Sequence, residues 1–280
     1  MKKIELGDYN LLKVVRKSDF GVYLDGGADG DILMPKKYVP AGCRIGDEVE
    51  VFVYLDNEER PVATTEKPFA RVGDFAYLEV GWVNEFGAFL KWGIMKDLFC
   101  PFREQKRKMQ VEESYIVHIH VDKESNRLVA SAKVDKYLCK DFPPFRHGEE
   151  VDLLIWQKTD LGFKVIINNM YGGLIYDDQI FRGLHTGDRM KGYIDVVRRD
   201  GKIDVTLQPT GQQQTKEFAD ELLEYLKAHD GVCLYGDKSD ADDIRECFKV
   251  SKKTFKKAVG DLYKKKVIEI VGDMEIRLRR

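Results

Sequence analysis

Long apolar runs are missing from this 280-residue chain. Its apolar stretches, such as Ile116–Val117 and Val165–Ile167, fall far short of the roughly 20 residues that a membrane-spanning helix requires, so no membrane partner is expected. At the N-terminus Glu5 interrupts Met1-Lys2-Lys3-Ile4 before any hydrophobic stretch develops, which predicts the absence of a signal peptide. Cysteine is scarce and unpatterned: Cys43, Cys100, Cys139, Cys233 and Cys247 are odd in number and contain no C-x-x-C. That usage fits a reducing, cytoplasmic setting better than a disulfide framework. Charge of one sign is also lacking, with a formal net charge of −2. A nucleic-acid binder usually carries a basic patch, and here only the distribution hints at one: residues 71–146 and 213–280 lean basic, whereas 1–70 and 147–212 lean acidic.

Catalytic motifs are missing too. The chain holds no P-loop, no G-x-S-x-G, no H-E-x-x-H and no Cys/His set at metal-binding spacing, so it reads as a non-enzyme with no cofactor and no metal. His118 and His120 share one strand face without an evident third ligand. Asp177-Asp178 reads as an acidic turn, and Asp240, Asp242 and Asp243 as the acidic start of a helix.

What the chain does contain is internal repetition. Three stretches align: G-D-Y-N-L-L-K-V-V-R-K-S-D-F-G-V-Y-L from Gly7, G-D-F-A-Y-L-E-V-G-W-V-N-E-F-G-A-F-L from Gly73, and G-E-E-V-D-L-L-I-W-Q-K-T-D-L-G-F-K-V from Gly148. The pairs Gly7/Gly21, Gly73/Gly87 and Gly148/Gly162 keep one spacing, and Asp19, Glu85 and Asp160 each sit two residues before the second glycine. Each unit continues into a turn and strand (G-D-I-L-M-P, K-D-L-F-C-P, G-G-L-I-Y-D) and closes with a hairpin-like pair. In the second unit Val117, Ile119 and Val121 alternate with His118 and His120, a half-buried strand pattern. About five short strands per unit predict a small closed barrel of OB type, in which closure removes exposed sheet edges. The repeated glycine is expected to let a long strand coil sharply. Barrels that each have their own core are expected as beads on a string.

The glycine also raises the question of the rings beside it. Residues i and i+3 of a regular strand point to opposite faces, so Phe86 and Phe89 share a face only if the backbone bulges or twists at Gly87. Either both rings form an exposed platform, or one is core and the other lies on the surface. At this point the chain resembles the S1 family of RNA-binding OB-folds, whose second strand carries F-G-x-F. Phe86-Gly87-Ala88-Phe89 matches outright, and Phe20-Gly21-Val22-Tyr23 matches with tyrosine as the second ring. The resemblance implies that these rings stack bases and that a basic residue a few positions after an aspartate completes the patch, as in Asp56 with Arg60 and Asp122 with Arg127. The chain departs from the family where a histidine often follows the third-strand turn: Met34, Cys100 and Tyr176 stand there. The third unit has Leu161-Gly162-Phe163-Lys164 and loses both ring positions, so it is expected to bind RNA weakly or to act as a spacer. Lys91, Lys96 and the run Arg103 to Lys108 form either a cationic margin for phosphates or simply a solvated loop.

From Thr215 the pattern turns helical. Phe218, Leu222, Leu223, Tyr225 and Leu226 mark a first helix, and Asp237 to Asp243 cap a second. Ser251 caps a third, with Phe255, Ala258, Val259, Leu262 and Tyr263 as its core stripe. Val267–Val271 and Glu275–Leu278 read as a hairpin. This segment resembles a winged helix, a family whose third helix commonly enters a DNA major groove. Lys252, Lys253, Lys256 and Lys257 lie largely opposite the stripe, which suits nucleic-acid contact, protein docking or plain solvation alike. Three S1-like units followed by a winged helix are similar in layout to the bacterial conserved virulence factor B family. G-D-I-L-M-P and Phe142-Pro143-Pro144-Phe145 resemble it as well.

The expected fold is therefore multidomain and mainly β: S1-like OB barrels over residues 1–68, 70–138 and 146–210, then a small α+β winged-helix domain over 213–280. The expected activity is binding of single-stranded RNA by a cytoplasmic regulator of gene expression. Phe20, Tyr23, Phe86 and Phe89 would stack bases, while Arg60, Arg127, Lys91 and Lys96 contact phosphate or sugar. The alternatives are a protein-interaction adaptor of the transcription or translation machinery, and a winged-helix regulator that binds duplex DNA.

Overall fold

The computed structural model describes residues 3–180, 183–209 and 212–279. Met1, Lys2, Phe181, Arg182, Thr210 and Arg280, which the expected domain limits include, lie outside the described residues. Three closed five-stranded barrels follow one another. The first uses β1 (Tyr9–Ser18), β2 (Gly21–Asp25), β3 (Asp31–Pro35), β4 (Glu48–Leu55) and β5 (Pro61–Thr64). The second uses β6 (Phe75–Val83), β7 (Gly87–Leu90), β8 (Leu98–Pro101), β9 (Ser114–Val121) and β10 (Leu128–Ser131). The third uses β11 (Glu150–Thr159), β12 (Gly162–Ile167), β13 (Tyr171–Tyr176), β14 (Arg189–Val197) and β15 (Ile203–Thr206). In each, the third strand runs parallel to the fifth, and the fourth returns to pair with the first, which closes the OB circuit.

The device that bends each barrel is not the glycine itself. The register slips on the first strand, between Val14 and Arg16, Val80 and Trp82, and Ile155 and Gln157. These bulges supply the coil. Gly21, Gly87 and Gly162 instead open the second strand where the third comes too near for a side chain. A Cβ at Gly87 would lie 2.4 Å from the Cys100 carbonyl oxygen, and the matching distances at Gly21 and Gly162 are 2.1 and 1.9 Å.

Nor are the barrels beads on a string. Phe52, Tyr54 and Val62 of the first join Leu78, Leu90 and Trp92 of the second in one apolar cluster, with Phe52 edge-on to Trp92 at 5.6 Å. Val72 N–H donates to the Gly7 carbonyl at 2.9 Å across the junction. The second and third barrels share a smaller cluster of Phe75, Ile116, Val134, Leu154, Trp156 and Ile166. Polar ties secure it: Phe75 N–H donates to Asn169 Oδ1 at 2.7 Å, and Arg189 Nη2 donates to the Phe75 carbonyl at 2.8 Å. The β9 face that alternation marks as wet is therefore covered. His118 is buried, stacked on Tyr137 at 4.1 Å and packed against Phe75 at 4.8 Å.

The C-terminal domain holds α1 (Gln212–Ala228), α2 (Ala241–Phe248), α3 (Lys252–Lys264) and a three-stranded sheet in the order β16 (Val232–Cys233), β18 (Glu275–Leu278), β17 (Ile268–Val271). Asp240 Oδ1 accepts from Asp242 N–H at 2.7 Å and Ser251 Oγ from Thr254 N–H at 3.2 Å, the caps that start α2 and α3. Phe255, Ala258, Val259 and Leu262 are buried against Phe218, Leu222 and Leu226. Tyr263 is exposed, because it falls just past the edge of the stripe. Arg245 Nη2 donates to the Asp178 carbonyl at 3.1 Å, and Gln208 Nε2 to the Lys249 carbonyl, joining this domain to the third barrel.

Burial, and then the neighbouring His120, push the His118 imidazole down to about 4. The unfolded chain titrates near the ordinary value of about 6.5. Between those values the unfolded state binds a proton that the folded state refuses, so stability is full above about pH 6.5 and falls as pH drops toward 4. The expected loss is on the order of 1–2 kcal/mol after solvent screening is allowed for. Thermal melts between pH 4 and 7 should show this slope, and His118→Phe should flatten it; identical slopes for the two proteins would refute the assignment.

Candidate nucleic-acid interface

A cleft of about 500 Å³ separates the first two barrels. Tyr54, Leu55, Asn57 and Glu59 line it from the first barrel, and Phe86, Phe89, Phe99, Lys96 and Arg127 from the second. Phe86 is 64% exposed because it precedes β7 at the tip of a turn. There Asn84 Oδ1 accepts from both Phe86 N–H (2.8 Å) and Gly87 N–H (3.1 Å), and Asn84 N–H donates to the Gly87 carbonyl (2.9 Å). Phe89, within β7, is half-buried. It lies directly opposite Trp82 of β6, their rings parallel within 3° and 3.6 Å apart, and its other neighbour is Phe99 at 5.0 Å. Phe86 and Phe89 thus line the same cleft without a bulge in β7.

The first barrel repeats the plan. Phe20 is 76% exposed at the matching turn. Tyr23 is half-buried beneath Arg16, whose guanidinium carbon lies 3.3 Å from the ring centroid. In the third barrel Leu161 takes the turn position, and Lys164 pairs opposite Gln157. Lys164 leans over Trp156 and toward Asp135 of the second barrel, so this face is turned to the interface between barrels.

The bases expected to meet phosphates are all engaged within the protein. Arg60 pairs with Asp56 (2.8 Å) and Glu58 (2.8 Å), and Arg127 with Glu59 of the first barrel. Lys96 donates to the Asp56 carbonyl at 2.6 Å, and burial lowers its ammonium from the ordinary lysine value. Lys91 pairs with Glu79 at 2.5 Å and borders a separate concavity with Phe69 and Tyr77. The structure therefore gathers Phe86, Phe89, Lys96 and Arg127 in one cleft, sets Phe20, Tyr23 and Arg60 on the first barrel, and places Lys91 apart. On α3, Lys253 and Lys257 are exposed, Lys252 is half-buried, and Lys256 pairs with Asp237 at 2.7 Å. Among the described residues no group of three or more His, Cys, Asp or Glu side chains could hold a metal ion, and no helix is long and apolar enough to cross a membrane.

Phe99, absent from the motif-based set, lines the cleft, and Trp82, absent likewise, stacks on Phe89. The repeat held the signal for Trp82, which occupies the same place after Gly73 as Arg16 does after Gly7. Phe99 is signalled by its register, opposite Phe89 on β8.

Residues 6–66 match the family described as S1 domain, and residues 220–278 match the CvfB-like winged helix domain. The uncharacterized protein YitL of Bacillus subtilis is 28% identical over 273 residues, covering 92% of this chain and 89% of that protein. A conserved virulence factor B of Staphylococcus epidermidis is 21% identical over 274 residues, covering 95% and 92%. A solved multidomain protein with nucleic acid binding domains from Streptococcus pneumoniae aligns with a TM-score of 0.42 and 22% identity over 98% of each chain.

The two residues of the turn separate stability from exposure. Gly87→Ala drives a methyl into the Cys100 carbonyl and should cost about 1–3 kcal/mol. Phe86→Ala, at an exposed turn, should cost within about 0.5 kcal/mol. Chemical denaturation of the two variants checks this, and equal losses would contradict the geometry.

Proposed function

With the chain grouped in the conserved virulence factor B family, S1-type barrels ahead of a CvfB-like winged helix, we propose that it binds single-stranded RNA as a regulator of gene expression. The observation that carries this reading is Phe86, a bare ring at the mouth of an aromatic cleft between two barrels. Every base has a π-face, so an exposed ring binds single strands with little sequence preference, at about 1–3 kcal/mol per stacked base. Phe20 offers the first barrel the same contact. Phe89 and Tyr23 complete each aromatic surface, and Lys96, Arg127, Arg60 and Lys91 are the bases proposed to reach phosphate or sugar. The matched families are families of binding domains, which agrees with a non-enzymatic role.

A second reading rests on the ion pairs. Because Arg60, Lys91 and Arg127 already face carboxylates, an adaptor that docks protein partners is the main competitor. A third, duplex-DNA binding through α3, rests on exposed Lys253 and Lys257.

Labelled single-stranded RNA, single-stranded DNA and duplex DNA, titrated at two salt concentrations, separate these readings. The expectation is a preference for single-stranded RNA with a shallow salt dependence, since Arg60, Lys91, Lys96 and Arg127 are already engaged within the protein. Phe86→Ala should weaken binding roughly 5- to 100-fold. Absence of RNA binding would favour the adaptor, and a duplex preference lost on removal of residues 213–280 would favour the third reading.

A further inference from the structure

We propose that the outer face of Trp82 is a nucleobase platform and that Phe89 is its support rather than a contact. This rests on the RNA-binding reading above and deepens it. A base cannot stack on the face of Phe89 that meets Trp82, because the indole lies parallel to it at 3.6 Å. Phe99 crowds the ring from the neighbouring strand at 5.0 Å. Of this stacked pair the more exposed ring is the indole of Trp82, 46% exposed, while Phe89 is half-buried.

That indole is held at two points. Phe89 supports its plane, and its Nε1 donates to Asp97 Oδ2 at 3.0 Å. A ring fixed before the ligand arrives loses little conformational freedom on binding, and indole offers a larger π-surface than phenyl.

The first barrel builds the same device from different residues. Arg16 lies over Tyr23 at 3.3 Å, and its Nε donates to Asp31 Oδ2 at 3.1 Å. Arg16 pairs opposite Tyr23 as Trp82 pairs opposite Phe89. Asp31 and Asp97 fall two residues before Leu33 and Phe99, which pair with Tyr23 and Phe89. A guanidinium plane also stacks bases, so each of these barrels presents a flat π-group locked by an aspartate. The third barrel loses all three parts together: Gln157 replaces the flat group, Lys164 the ring beneath, and Gly172 the aspartate. Joint presence in two repeats and joint loss in the third mark the trio as one unit with one purpose.

The chain itself supplies the probe. Of its three tryptophans, Trp92 and Trp156 are buried (2% and 8% exposed), so a base stacked on the surface reaches Trp82. Binding of a mixed-sequence single-stranded oligoribonucleotide to the full chain is followed by anisotropy of a labelled strand and, separately, by tryptophan emission with an unlabelled strand. The expected result is quenched emission in the native protein. Trp82→Leu, which still covers Phe89 but has no π-face, should weaken binding roughly 5- to 100-fold. Trp82→Phe should bind within about threefold of the native protein, its emission no longer quenched. Anisotropy that reports binding while emission stays unchanged and Trp82→Leu binds normally would overturn this inference and leave the RNA-binding reading intact. A strand that does not bind at all would overturn both.

Discussion

In each barrel the second and third strands approach more nearly than a side chain permits. In all three barrels that contact falls at the second repeated glycine, where a Cβ would meet a main-chain carbonyl at 1.9 to 2.4 Å. The consequence reaches beyond that strand pair. The residue just before the glycine is displaced from the strand onto a turn and cannot enter the core. Phe20, Phe86 and Leu161 occupy that place, and all three are exposed. The requirement that shapes the barrel thus also puts a bare side chain at its rim, and the sequence decides whether that side chain is a ring.

The same economy governs how the barrels meet. A barrel of some 60 residues buries a modest share of its surface by itself, and here each covers part of its neighbour. Phe52 and Tyr54 extend the second barrel's apolar cluster, while Trp156 and Leu154 of the third close over Ile116 and Phe75. The contact of the first two barrels creates the aromatic cleft. The contact of the second and third consumes the face on which Lys164 stands. Two barrels therefore keep an outward aromatic surface, and the third is partly spent on support.

Much of this was legible before any coordinate. The spacing Gly7/Gly21, Gly73/Gly87 and Gly148/Gly162 disclosed three barrels, because a steric rule that acts once per repeat leaves a periodic mark. The helix caps at Asp240 and Ser251 were equally local and equally readable. Burial imposed by another barrel was not. The alternation of Val117, Ile119 and Val121 with His118 and His120 describes one wet face, and nothing within β9 reveals that Tyr137 packs against the histidines while Leu154 and Trp156 of the third barrel close over Ile116. The contact of Phe89 with its partners was hidden for a related reason. F-G-A-F is a motif along the chain, whereas Phe99 reaches Phe89 across the β7–β8 pairing, and Trp82 across a β6–β7 register that the bulge between Val80 and Trp82 resets.

The distribution of charge bears on how such a surface would hold a strand. Arg60, Arg103, Arg127, Lys91 and Lys106 each face a carboxylate, and the chain as a whole is slightly acidic. A phosphate that recruits one of these bases must displace an exposed ion pair, which is worth little, about 0–1 kcal/mol. It must also approach the carboxylate left behind. Both effects reduce the gain from each phosphate contact, whereas stacking on Phe86 or on the indole of Trp82 meets no such opposition. On the proposed function, then, rings rather than cations supply most of the affinity. The paired carboxylates act against indiscriminate attraction to any polyanion, duplex DNA included, and favour strands whose bases are free to leave their own stack.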